Sequence, residues 1–264
     1  MAASYESRIR CLEGLNLQIG FWHDPEGVLN SEKIKSVIAI DGPAASGKST
    51  IGRMLANHLV FLFLDTGCMY RAVTLAVLQR GIDIDDEAAV VDLTESVELD
   101  ILPPWGKKDG RLYTVLLDGQ DVTWDIRTSE VDSNVSQVSA YKGVRQNLVD
   151  RQRNLAKRGS VVVVGRDIGT VVLPEAPLKL YIIASTEERA YRRWIEQRNR
   201  EKSLTYDQIL ADMIRRDRID GNREHSPMRP AKDAVIIDTT GLSPEQILDQ
   251  ILTLDYFHAL GESR

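Results

Sequence analysis

Fourteen residues, Val37 to Thr50, constrain this chain more than any other stretch. A β-branched run, Val37-Ile38-Ala39-Ile40-Asp41, passes directly into Gly42-Pro43-Ala44-Ala45-Ser46-Gly47-Lys48-Ser49-Thr50. The segment from Ile51 to Leu59 comes next, with apolar residues at helical spacing. A buried parallel strand, a G-x-x-x-x-G-K-[ST] turn and an amphipathic helix, in that order, are the sequence form of a P-loop. Its backbone N–H groups and the helix N-terminus make a cradle for phosphate. Lys48 reaches the β- and γ-phosphates of a nucleotide, Ser49 offers its hydroxyl to Mg²⁺, and Gly42 and Gly47 let the backbone come close.

The rest of the composition narrows the class. A chain of 264 residues accommodates one large α/β domain or two small ones. The formal net charge of −6 argues against a general nucleic-acid binder. The basic residues are unevenly chosen: 23 are Arg and 10 Lys, and 15 of the Arg lie between Arg145 and Arg229. A guanidinium matches phosphate oxygens in a fork that lysine lacks, so an arginine-lined anion site inside an acidic protein is the sharper reading. Solvated helix faces account for the remainder. Cys11 and Cys68 have neither disulfide-framework nor metal-site spacing. With no apolar run long enough for a membrane span and no signal-peptide h-region, a cytoplasmic protein is expected.

Taken in order, residues 1–35 show no clear periodicity and are expected to be a peripheral extension without an assigned role. Val60 to Leu64 reads as a second strand, ending in Asp65-Thr66-Gly67 and a helix to about Gln79 that carries Arg71. Ligands of open α/β sheets sit beyond the carboxyl ends of strands, which puts Asp65, Thr66 and Arg71 where a second substrate would meet the P-loop. The alternative is Thr66 as a helix cap and Arg71 as a surface charge. From about 81 to 127 the pattern alternates, with Val97–Leu102 and Tyr113–Asp118 as half-exposed antiparallel strands of an inserted subdomain. Two helices come next, over Ser129–Ala140 and Gly143–Arg158.

Val161-Val162-Val163-Val164 is a buried strand that ends in Gly165-Arg166-Asp167, a second strand-end cluster. After the strand Leu178–Ala184, a helix from Glu187 carries Arg189 and Arg193 one turn apart. They either clamp phosphates or flank Glu188 and Glu196 in exposed ion pairs. A helix over Thr205–Ile219 leads into the dense charges Arg215 to Arg223. Ala234–Asp238 is the last strand, and Ser243-Pro244 opens the closing helix. Strands alternating with helices imply a parallel sheet covered on both faces.

These motifs together resemble one family, the bacterial-type cytidylate kinases, which are nucleoside monophosphate kinases. The residues carrying the resemblance are Ile40-Asp41-Gly42-Pro43, Leu64-Asp65-Thr66-Gly67 with Met69-Tyr70-Arg71, Ile126-Arg127-Thr128, Ser136-Gln137-Val138 with Arg145, Gly165 to Val172, Arg216-Asp217 with Asp220 and Arg223, and Asp238-Thr239-Thr240. The resemblance implies a three-layer α/β P-loop kinase fold: a parallel five-stranded sheet flanked by helices, with a small antiparallel β substrate-binding subdomain at about 81–127. The kinase domain would span 36–257, with a mobile closing region at about 194–225.

It also implies site residues. Gly42, Pro43, Ala44, Ala45, Ser46, Gly47, Lys48, Ser49 and Thr50 would hold ATP, with Arg189 and Arg193 over its phosphates. Thr66, Arg71, Ser136, Arg145, Arg166 and Asp167 resemble the acceptor-nucleotide site, and Asp217, Asp220 and Arg223 a closing cluster on the same substrate. Ser49, Asp41 and Asp65 would hold Mg²⁺ or its water shell. Lys48, Arg166, Arg193 and Arg216 are expected to neutralise the transferring group. The expected reaction is phosphoryl transfer from Mg·ATP to CMP or dCMP by a monomer. Two departures stand out: Gly221 replaces a serine common in the family, and residues 1–35 have no counterpart. Another small acceptor, such as UMP, AMP or a hydroxy acid, is the rival within enzymes. A GTP-binding switch is disfavoured because no Asn-Lys-x-Asp signature occurs.

Overall fold

The computed structural model describes residues 36–257 apart from positions 103, 105, 158, 199–204 and 225, so the expectations for residues 1–35 lie outside the described residues. In chain order the elements are β1 (Val37–Asp41), α1 (Lys48–Leu59), β2 (Leu62–Asp65), α2 (Gly67–Gln79) and α3 (Glu87–Ser96). Then come β3 (Leu99–Leu102), β4 (Thr114–Leu117), β5 (Gln120–Asp121), α4 (Ser129–Val138), α5 (Lys142–Ala156) and β6 (Val161–Val164). The chain closes with β7 (Leu178–Ile183), α6 (Thr186–Arg198), α7 (Tyr206–Gly221), β8 (Val235–Asp238) and α8 (Pro244–Leu252).

Five strands form one sheet in the order β2-β6-β1-β7-β8, and every neighbouring pair is parallel. Ile38, Ala39 and Ile40 of β1 and the four valines of β6 are buried, as befits central strands covered on both faces. On one face Ile51 and Leu55 of α1 and Ile247 and Ile251 of α8 pack against Ile40, Val162, Val164 and Ile182. On the other face Val149 and Ala156 of α5 pack with Ala39, Val161 and Val163. A separate antiparallel sheet, β3-β4-β5, shares a core with α2, α3 and α4 through Val73, Val77, Val90, Val115 and Val135. The expected parallel sheet with its small antiparallel companion is therefore present. No helix among the described residues is long and apolar enough to cross a membrane.

Boundaries shift where local chemistry decides them. The P-loop helix starts at Lys48, three residues before its apolar periodicity begins, because Gly47 takes the left-handed cap position at φ 93°. Helix α4 ends at Val138 and α5 starts at Lys142, so a helix continuing to Ala140 is not found; a short turn occupies those residues. Thr205 and Ser243 do cap α7 and α8, each in a reciprocal capping box with a glutamine three residues on.

Helix α1 approaches the sheet at Gly52, where an added Cβ would lie 2.5 Å from Val164 Cγ2 and 3.1 Å from Phe63 Cε2. Gly52→Ala brings a better helix former, worth up to about 1 kcal/mol, into a space that overpacking penalises by about 1–3 kcal/mol. We expect net destabilisation, read as a lower urea midpoint; an unchanged or higher midpoint would show that α1 stands off the sheet.

Candidate active site

Strand β1 delivers the chain to Gly42, whose φ is 142° and where a Cβ would sit 2.0 Å from the Ile182 carbonyl oxygen, so only glycine fits. Beyond the turn, Lys48 folds back on its own loop and its Nζ donates to the Pro43 carbonyl at 2.5 Å. Burial, and next the Arg166 guanidinium, push the Lys48 ammonium down to about 7. Ser49 Oγ donates to Asp65 Oδ2 at 2.6 Å, and Asp65 Oδ1 accepts from the Gly67 amide at 3.0 Å. A hydroxyl and a carboxylate thus stand together at the loop, the hard oxygen donors that Mg²⁺ takes beside its waters.

Asp41 is placed differently from the metal role expected of it. Its two oxygens accept the backbone amides of Ile168 and Gly169, each at 2.7 Å. It is buried and does not line the cleft, and burial pushes its carboxyl up to about 6. Each oxygen is thus engaged by one amide, and the carboxylate is turned toward residues 168 and 169.

The cleft has a volume of about 680 Å³ and lies beyond the carboxyl ends of β1, β2 and β6. Lys48, Ser49 and Thr50 line it from the P-loop, Asp65, Thr66 and Arg71 from the second strand end, and Arg166 and Asp167 from the third. Ser136, Arg145, Arg193, Arg216, Asp220 and Arg223 complete it from the helices. Ten lining residues are cationic and six anionic, inside a protein of net charge −6. Thr66 does not cap α2; its hydroxyl donates to the Val164 carbonyl at 2.9 Å.

Carboxylates hold these cations in place. Asp167 pairs with Arg145, and Asp220 takes both Arg166 and Arg223. Burial would raise the Asp220 carboxyl, but Arg166, Arg223 and Arg216 hold it below its ordinary value. Arg216 is less well served: its nearest carboxylate oxygen, on Asp132, is 3.7 Å away, and burial followed by Arg71 and Arg166 lowers it to about 9. The Nε atoms of Arg145, Arg216 and Arg223 are buried without an acceptor among the described residues. Such donors favour an oxyanion with more acceptor positions than a carboxylate.

Two expectations about α6 separate. Arg193 reaches into the cleft, pairing with Asp132 and with Glu196 at 3.0 Å. Arg189 stays out of the cleft lining, buried in a two-bond pair with Asp217 at 2.7 and 3.2 Å, and Asp217 stays out with it. Arg192 also stands beside the P-loop: its guanidinium donates to Thr239 and its Nη1 is 3.5 Å from the Ser46 carbonyl, while Arg189 Nη1 donates to the Ala44 carbonyl at 3.4 Å. Nothing in the sequence pattern singles out Arg192 or Asp132. The same holds for Tyr113, which lines the cleft together with Arg127 of the Ile126-Arg127-Thr128 motif, the Arg127 guanidinium 5.8 Å from the Tyr113 ring centroid. Gly221 ends α7, and a side chain there would meet open space.

A parallel P-loop sheet with a cationic cleft at its carboxyl edge defines a phosphotransferase of the P-loop kinase class. The family model described as cytidylate kinase matches residues 38–256. The chain is 48% identical over 217 residues to the cytidylate kinase of Herpetosiphon aurantiacus, covering 82% of this chain and 93% of the relative. It is 45% identical over 220 residues to that of Bacillus pumilus, covering 83% and 96%. For that of Bacillus subtilis the identity is 43% over 218 residues, covering 83% and 95%. The chain belongs to the cytidylate kinase family.

Lys48 supplies a pH signature. An incoming phosphate favours its ammonium form, so binding at pH 8 takes up most of a proton, and affinity falls as pH rises above about 7, by about tenfold per unit at most. Calorimetry of ATP binding at pH 8 in buffers of different ionisation enthalpy should give buffer-dependent heats that Lys48→Met abolishes. Equal heats in all buffers would mean that Lys48 is already charged before the ligand arrives.

Proposed function

We propose that this protein transfers the γ-phosphoryl group of ATP to CMP or dCMP, giving ADP and CDP or dCDP. The observation that carries the reading is the cleft shared by the P-loop pair Lys48–Ser49 and by guanidiniums whose buried Nε atoms, on Arg145, Arg216 and Arg223, have no acceptor among the described residues. Membership of the cytidylate kinase family supports CMP or dCMP as the acceptor.

In this reading Gly42 to Thr50 hold the ATP phosphates, and Arg71, Arg145, Arg166 and Arg223 hold the acceptor nucleotide together with Thr66, Ser136, Asp167 and Asp220. An oxygen of the acceptor's phosphate attacks the γ-phosphorus, the bond to the β–γ bridging oxygen breaks, and ADP departs with that oxygen. Phosphoryl transfer asks little covalent chemistry of the protein, so positioning and charge neutralisation carry it. Lys48 takes the β- and γ-phosphates, regaining its proton as it leaves the Pro43 carbonyl. Arg193 and Arg216 neutralise the equatorial oxygens of the transferring group. The attacking group is already anionic, so no strong general base is needed. Ser49 and Asp65 would hold Mg²⁺, which when bound screens the charge on the β- and γ-phosphates. Arg189 and Arg192, each donating toward a P-loop carbonyl, are the α6 arginines assigned to the ATP side.

The test is ADP release from Mg·ATP with CMP, dCMP, UMP, AMP or no acceptor. Fast turnover restricted to CMP and dCMP is expected; turnover that no acceptor stimulates would overturn the proposal. Lys48→Ala should lower kcat by at least about 10²-fold with the fold intact. Arg166→Ala should raise KM for the acceptor far more than for ATP, and equal losses would move Arg166 out of the acceptor site.

A further inference from the structure

Asp132 lies in the first turn of α4, where an exposed acid would be explained by the helix dipole alone. It is instead only 6% exposed, and a buried carboxylate needs partners. Those partners come from three other helices. Oδ2 accepts from Arg193 of α6, while Oδ1 faces Arg71 Nη2 of α2 at 2.5 Å and Arg216 Nη1 of α7 at 3.7 Å. Oδ1 has the distance of an ion pair to Arg71 without the alignment of a hydrogen bond, and Arg216 Nε has no acceptor. Glu196 also pairs with Arg193, at 3.0 Å, and its charge bears on Arg71. The two oxygens of Asp132 therefore face three guanidiniums that converge on the cleft, and Asp132 is the carboxylate that all three share.

These are the arginines assigned to the acceptor's phosphate and to the transferring group, and the role inferred for Asp132 rests on that assignment. A phosphate brings more oxygens and up to twice the charge to the same three forks. We propose that Asp132 is an internal counter-anion: it gathers Arg71, Arg193 and Arg216 while the cleft holds no phosphate, and yields them when a phosphate arrives. It acts through those arginines and is a positioning residue. Without it, three neighbouring cations, Arg216 buried and Arg71 and Arg193 half-buried, would repel one another and spread apart. With it, the site stays assembled, and every phosphate binds in competition with a resident carboxylate. The carboxylate also gives the arginines a partner to return to when a charged product leaves.

A structural ion pair and a competing anion make different predictions for Asp132→Asn, which keeps the shape and removes the charge. Inorganic phosphate, titrated calorimetrically without nucleotide, is the probe. Competition predicts that Asp132→Asn binds phosphate at least about tenfold more tightly than the wild-type chain, while its ligand-free melting temperature falls and is restored by phosphate. Asp132→Glu, which keeps the charge, should bind phosphate as weakly as the wild type. A lower melting temperature with phosphate affinity unchanged or weakened would overturn the proposal. If Asp132→Asn is unfolded in ligand-free buffer, the same comparison is made by refolding: recovery of the far-UV circular dichroism in phosphate supports the proposal, and no recovery overturns it. Failure of the cytidylate reading would appear separately, as absent acceptor-dependent turnover in the wild type with the phosphate difference still present.

Discussion

Crowding cationic side chains into one partly buried cleft is the constraint on which this site depends. Each guanidinium removed from water loses solvation, and each neighbour of like charge adds repulsion that the low local dielectric does little to screen. The chain answers with a few carboxylates used more than once: Asp220 serves Arg166 and Arg223, and Asp132 serves Arg71, Arg193 and Arg216. The compensation is incomplete, as the lowered Lys48 and Arg216 and the unpartnered Nε atoms attest. A site left short of negative charge in this way is tuned to phosphate by its own electrostatics, before any specific contact with a base or sugar is considered.

The sheet is legible in the sequence because its signals are local. Four consecutive valines at Val161–Val164 and the β-branched run before Gly42 have few alternatives to a buried parallel strand, and the P-loop pattern sets the turn after that run. The strand-end residues Asp65, Arg166 and Asp167 are legible by the same logic, since a parallel sheet gathers its carboxyl ends on one edge. The helical side chains are harder. Spacing says that Arg189 and Arg193 share a face of α6, but not that the face turns between two neighbours, so that Arg189 meets Asp217 while Arg193 meets Asp132. Arg192, one residue from Arg193, carries no mark in the spacing although it too stands beside the P-loop.

Carboxylates escape sequence reasoning for a related reason. Asp132 in a first helical turn carries no local mark of its three partners, which come from positions up to 84 residues away in sequence. Asp41 stands beside a phosphate-binding loop, where a metal role is the natural expectation. Nothing in its neighbours announces that two amides from residues 168 and 169 will claim both oxygens. Long-range pairing of this kind is a property of the folded sheet, not of any stretch within it.

The amide bonds of Asp41 have a mechanical meaning as well. Asp41 ends the strand that enters the P-loop, while Ile168 and Gly169 directly succeed Arg166 and Asp167. A single buried side chain therefore bolts the strand that enters the P-loop to the segment that carries Arg166, the arginine proposed for the acceptor. Donor and acceptor phosphates would be brought together on one rigid floor, and the helices above can rearrange without altering the gap that the phosphoryl group has to cross.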